Sequence, residues 1–248
     1  LKLQLKKLTL WTKKAVFIGH EFSKHGVAAS SEKVQGLLDM EPPRTVGDLQ
    51  GFCCTSTFLK PYIMHFSGVT RPMQNYLSDK LKSEPSRGRR RTALKRELID
   101  WSAPLLKDSW DAFRVALVKN VRIAYLKPGY AIVTVSDASD YAWSSCVLQV
   151  PKHEVGKSIK DMEGPEILAV HSGVFSGSQL NWATIDKEAF AVVQNFNKSE
   201  SLLRTGDDDV PVSVYTDHRN LLFLLTGVSG TGTTASKQAS ARLRRWAL

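Results

Sequence analysis

Val135-Ser136-Asp137-Ala138-Ser139-Asp140 closes one β-branched apolar run, and Val214-Tyr215-Thr216-Asp217-His218 closes another. Between them lies Asp186-Lys187-Glu188, at the start of a segment whose apolar residues Ile185, Ala189, Val192, Val193 and Phe196 recur at helical spacing. Read outward, the pattern predicts strands over Tyr130–Ser136, Trp143–Val150 and Ile167–Val174, then a helix from Thr184 to Leu203 and a fourth strand over Val210–Thr216. Gly206-Asp207-Asp208-Asp209 is the loop entering that last strand, and a short helix begins near His218. Three meandering strands, a crossover helix and a strand returning parallel to the first make a mixed α/β (α+β) sheet. The right-handed crossover puts the helix on one face. Strands one and four are then neighbours, so Asp137 and Asp217 stand side by side, and Glu188 reaches over the same strand ends from the first turn of the helix.

Two strand-end carboxylates and one helix carboxylate aimed at a single point suit a divalent ion. Mg²⁺, or Mn²⁺ in its place, takes oxygen ligands and keeps several waters, and a pair of such ions can drive phosphodiester hydrolysis. Asp137, Glu188 and Asp217 are therefore the candidate catalytic and metal-binding residues. Their mutual repulsion should raise at least one pKa when no metal is present. Competing sites are weaker. The six histidines have no metal-ligand spacing, and a Ser136/His171/Asp217 hydrolase triad lacks a nucleophile elbow. Trp143 and Trp182 are read as core packing in preference to base stacking.

The 248 residues carry 34 Lys+Arg against 24 Asp+Glu, a formal charge of +10. The cations cluster at Lys2–Lys14, Lys80–Arg96 and Lys237–Arg245, which favours a polyanionic partner. Cys53, Cys54 and Cys146 are too few for a disulfide framework, and no apolar run is long enough to span a bilayer, so an intracellular protein without a membrane partner is expected. Residues 1–28 read as a β-hairpin, and 29–81 as a small helical unit. In that unit Ser30 or Ser31 caps a helix carrying Val34, Leu37 and Leu38, Thr45 and Asp48 form a capping box, and a third helix covers Thr70–Leu81. Residues 82–128 read as a basic tether with a short amphipathic helix over Trp110–Lys119, and 129–248 as the sheet domain.

At this point the motifs carry a resemblance. Asp137-Ala138-Ser139-Asp140, Asp186-Lys187-Glu188-Ala189-Phe190-Ala191-Val192-Val193 and Thr216-Asp217-His218-Arg219-Asn220-Leu221 resemble the RNase H domain of gypsy-class LTR retrotransposon Pol polyproteins. Upstream, Phe17-Ile18-Gly19-His20 is similar to the end of a reverse transcriptase palm, and Ser31-Glu32-Lys33-Val34, Pro42–Leu49 and Phe58–Ser67 are similar to its thumb. The resemblance implies a small helical thumb followed by an RNase H-like sheet with flanking helices. It also implies an RNA–DNA hybrid as partner, hydrolysis of its RNA strand in the parent protein, and Asp137, Glu188 and Asp217 as Mg²⁺-binding acids. The polymerase motif Tyr-x-Asp-Asp is absent, and the family's fourth acid would follow a further strand beyond Leu248, so a C-terminally truncated domain is expected. Tyr141-Ala142-Trp143-Ser144-Ser145 replaces the family's glycine-rich turn. Such departures keep open a remnant, or a nucleic-acid-binding module, without turnover.

Overall fold

The computed structural model describes residues 11–82, 89–204, 212–218 and 221. The alternating leucines of residues 1–10, the Gly206–Asp209 loop and the basic C-terminal cluster lie outside the described residues. The first described element is a three-stranded antiparallel meander: β1 (Lys14–Phe17), β2 (His20–Ser23) and β3 (Gly26–Ala29). Its first turn falls at Ile18-Gly19, where both residues take positive φ.

The helical unit follows from its capping and apolar periodicity. Ser30 caps α1 (Ser31–Leu38) by accepting from the Lys33 amide. Thr45 and Asp48 form the reciprocal capping box of α2 (Val46–Ser56). Pro61 removes a backbone donor, and the chain there takes the tighter 3₁₀ turn Thr57–Tyr62. Then come α3 (Phe66–Leu81), α4 (Arg89–Lys95) and α5 (Pro104–Val118). The predicted third helix gains a turn at its N-terminus, where Phe66 and Ser67 are buried. The predicted tether holds α4, and the short amphipathic helix begins two turns earlier, at Pro104. Leu106 thereby joins Trp110, Phe113 and Leu117 in one core with Val46, Leu49, Phe52, Ile63 and Met73. Phe52 anchors it, with ring centroids 4.8 Å from Trp110 and 5.1 Å from Phe113.

The sheet domain is built as the sequence pattern predicts. β4 (Tyr130–Ala138), β5 (Ala142–Pro151) and β6 (Glu166–Val174) form the meander, α6 (Thr184–Arg204) crosses over, and β7 (Ser213–Tyr215) returns parallel to β4. The strand order is β6-β5-β4-β7. The altered turn after Asp140 still closes the hairpin, because the Ser139 amide donates to the Ala142 carbonyl at 2.8 Å and Ser139 Oγ caps the Ala142 amide. One face of the sheet packs Ala131, Val133, Cys146 and Val150 against Met64 and Ile123 of the upstream chain; the other carries α6.

The connecting segment joins the parts. Val27 and Ile123 exchange backbone hydrogen bonds at 2.7 and 2.8 Å, Val121 donates to Tyr62, and Ala124 donates to Ile167. Gly26 makes this approach possible: a Cβ there would sit 2.1 Å from the Ile123 carbonyl oxygen. A similar contact occurs inside the sheet, where the Trp143 indole lies on Gly173 and a Cβ would meet Nε1 at 2.5 Å. Trp143 is only 5% exposed and packs edge-on against Phe190, so the ring has little room to retreat. Gly173→Ala should therefore lower stability by about 1–3 kcal/mol, read as a lower urea midpoint with an unchanged slope. An unchanged midpoint would show that the ring is free to move.

Candidate metal centre

Main-chain register places the acids. β4 and β7 pair in parallel with Val133 opposite Ser213 and Val135 opposite Tyr215. The same register carried two residues further sets Asp217 beside Asp137. Glu188, in the opening turns of α6, reaches across: its Oε1 accepts from the Ala138 amide at 3.2 Å. One carboxylate oxygen from each of Asp137, Glu188 and Asp217 lies within 4.8 Å of the others. The sequence-predicted trio is brought together in one place.

The three acids differ in environment. Asp137 and Asp217 are exposed, whereas Glu188 is 5% exposed. Its second oxygen, Oε2, is buried and without a hydrogen-bond partner among the described residues. Burial pushes the Glu188 carboxyl up to about 7; the Ala138 amide opposes this, and the charges of Asp137 and Asp217 add to it. A buried, unpaired carboxylate oxygen in a cluster of three acids suits a compact cation. The all-oxygen donor set fits a hard divalent ion.

Placing Glu188 fixes the rest of α6. Residues three or four apart share a helix face, so Ala191, Val192, Asn195 and Ser199 turn inward with Glu188 and are buried. The predicted inward stripe is corrected accordingly: Ala189 and Val192 are buried, but Ile185 and Val193 are only half-buried and Phe196 is 36% exposed. The polar choice extends into the sheet, where the Thr134, Ser136 and Ser145 hydroxyls and the Asn195 amide are buried without partners among the described residues. His171 bonds Ser199 at 2.8 Å, and Ser145 stands between Ser136 and His171 in the sheet register, which dissolves the alternative triad. Lys187, in the quoted motif but given no role by sequence reasoning, is buried with its Nζ on the Asp140 carbonyl at 2.8 Å. His218 donates its amide to Thr216 Oγ1.

A mixed sheet with a crossover helix, two acids at the ends of its parallel pair and a third on that helix is the arrangement of the RNase H-like class. The comparisons agree. Residues 128–248 match the model of the RNase H-like domain found in reverse transcriptase. Over 232 residues, 94% of its length, the chain is 26% identical to the Transposon Tf2-3 and Tf2-4 polyproteins of Schizosaccharomyces pombe, and it spans 15% of their length. Residues 128–248 thus form an RNase H-like domain of the reverse transcriptase kind, and the chain as a whole is similar to the Pol polyproteins of LTR retrotransposons. Among solved structures, the foamy viral protease-reverse transcriptase in complex with RNA/DNA hybrid superposes with a TM-score of 0.62 at 17% identity, covering 98% of this chain and 28% of that one. The same protein in complex with dsDNA superposes with a TM-score of 0.63 at 17% identity, covering 98% of this chain and 44% of that one. At this identity these likenesses establish the fold.

The raised Glu188 pKa makes a stability prediction. Burial pushes its carboxyl up to about 7 in the folded protein, from the ordinary glutamate value of 4.5. The stabilisation this gives is complete below 4.5 and is lost as pH rises through 7. Glu188→Gln should therefore raise the Tm of metal-free protein at pH 8 by a few degrees, on the order expected for one buried charge removed. The gain should shrink towards pH 4.5. Adding Mn²⁺ should reverse the ranking, stabilising wild type and not the variant. Equal Tm values at pH 8 would place Glu188 in solvent.

Proposed function

We propose that the acid trio is the metal centre of a ribonuclease that cleaves the RNA strand of RNA–DNA hybrids within the parent polyprotein. The observation that carries the reading is the convergence of Asp137, Glu188 and Asp217 within 4.8 Å, with Glu188 Oε2 buried and unpaired. All three acids would hold divalent ions, Mg²⁺ first and Mn²⁺ as a substitute. Bound ions supply charge neutralisation and Lewis acidity toward a phosphodiester. The chain's own contribution is rigidity: the β4–β7 register holds the two aspartates side by side, and the Ala138 amide fixes the Glu188 carboxylate.

The substrate class is supported by charge and by kinship. The formal charge is +10, and Lys13, Lys14, Lys24, His25 and Arg122 line one concave surface around Glu21. A structural relative was solved with RNA/DNA hybrid. In the same reading the β1–β3 meander is the end of a polymerase palm and α1–α3 its thumb. Recognition of RNA over DNA would rest on the 2′-hydroxyl.

The test uses the purified chain, an end-labelled hybrid and Mg²⁺ or Mn²⁺. The RNA strand should be cut internally, and chelation should stop the reaction. Asp137→Asn, Glu188→Gln and Asp217→Asn should each slow cutting by about two orders of magnitude or more. Affinity for hybrid should fall steeply with salt. Salt-sensitive binding without cleavage, or Asp137→Asn cutting as fast as wild type, overturns the nuclease reading in favour of a binding module.

A further inference from the structure

The turn between β4 and β5 begins two residues after Asp137 and is gripped from two sides. On one side is α6. Lys187 is the residue before Glu188, and its side chain is 6% exposed. Its Nζ donates to the Asp140 carbonyl at 2.8 Å, lies 3.6 Å from Asp140 Oδ1, and stands 5.8 Å from the centre of the Phe175 ring. Burying an ammonium is costly, and these partners offset that cost only while the turn stays where it is.

On the other side is α3, from the helical unit. The Arg71 guanidinium donates to the Tyr141 carbonyl, donates to the Phe175 carbonyl at 3.1 Å, and lies 5.5 Å from the centre of the Tyr141 ring. Phe175 returns its own amide to the Tyr141 carbonyl at 2.9 Å, so the turn and the end of β6 are held as one piece. Four residues earlier on the same helix face, the Ser67 amide and hydroxyl meet the buried Ser172 Oγ at 3.2 and 2.9 Å, fixing where α3 lies against β6. Arg71 thus reaches the turn from an anchored helix.

We propose that Arg71 and Lys187 are positioning residues that clamp the Asp140–Tyr141 turn between the helical unit and α6, and so set the separation of Asp137 from Glu188. Asp137 and Ala138 are the last residues of the strand entering that turn, and Ala138 holds Glu188 through its amide. A turn released from either cation lets this strand end move relative to α6. Arg71 lies outside residues 128–248, the span of the RNase H-like match. The acid centre is therefore completed by the helical unit upstream of its own domain. This inference rests on the reading of the trio as a metal centre.

The experiment measures Mn²⁺ binding to the full chain by calorimetric titration, with Mn²⁺ alone as probe and no substrate. Wild type should bind, and Asp137→Asn should lose binding. Arg71→Ala and Lys187→Met should each weaken Mn²⁺ affinity about tenfold, the effect typical of groups that orient metal ligands. Arg71→Lys, which keeps the charge and one donor nitrogen but has a different reach and no planar guanidinium beside the Tyr141 ring, should recover part of the loss. Thr45→Ala, which removes the α2 cap far from the site, lowers stability and should leave Mn²⁺ affinity unchanged. Wild-type affinity in both Arg71→Ala and Lys187→Met, with Asp137→Asn still defective, overturns the clamp and leaves the metal centre standing. If wild type and Asp137→Asn bind alike, the metal reading fails and the clamp with it. Should Arg71→Ala not fold, Arg71→Lys decides alone: wild-type affinity overturns the clamp.

Discussion

Three carboxylates within 4.8 Å repel one another, so something stiffer than side-chain preference must hold them there. The stiff element is the parallel ladder between β4 and β7. Its hydrogen bonds fix Val135 opposite Tyr215, and the two aspartates then have no freedom to separate along the strands. The third acid is held differently. Glu188 comes from a helix whose opening turn is tied to the β4 end by one amide bond to its carboxylate and one ammonium bond from the neighbouring residue. The rest of the sheet domain can be understood as scaffolding for this arrangement: β5 and β6 widen the sheet, and α6 covers one face.

The repulsion leaves a mark on the packing. A helix lying on a sheet normally turns its apolar stripe inward. In α6 the inward face is chosen by Glu188, and it brings Asn195 and Ser199 into the interior while Phe196 stays outside. Thr134, Ser136 and Ser145 answer from the strands, giving a polar seam between two layers that would otherwise be dry. A polar seam under a helix weakens the core in that region, and the aromatic group of Trp143, Phe175, Trp182 and Phe190 at the start of α6 offsets it with ring contacts of 5.5–6.5 Å. The weak and strong parts of the interface lie along the same helix.

Much of this was legible in the residues. Strand alternation, the position of the crossover helix and the parallel return strand follow from period and turn chemistry, and the acid trio follows from the topology they imply. Capping residues announce themselves too, as Ser30 and Thr45 show. The failures have specific causes. In α6 apolar periodicity alone does not pick out the buried face, because Glu188 must face the strand ends and turns Asn195 and Ser199 inward with it. Helix α5 starts before its clear apolar stripe because Pro104 occupies the first turn, where its missing amide donor costs nothing. Arg71 offered no signal at all: a lone arginine beside Pro72 becomes informative only once α3 is docked on the sheet.

That docking changes how the chain divides. Sequence composition separates a helical unit, a connecting segment and a sheet domain, yet several directional polar contacts cross those divisions. Ser67 meets Ser172, Arg71 meets Tyr141 and Phe175, and Ile123 pairs with Val27 while its neighbour Ala124 pairs with Ile167. Buried serine pairs and a cation on two carbonyls are directional, so they fix position in a way apolar contact alone does not. The open face of the sheet is thereby covered by the upstream chain. The acid centre, at the strand ends, borders both units, and the Asp137 side chain shares a wall with His65, Pro72 and Asp108 of the helical unit. A site at such a border responds to anything that shifts one unit against the other, because the turn carrying Asp140 and Tyr141 is bonded to both.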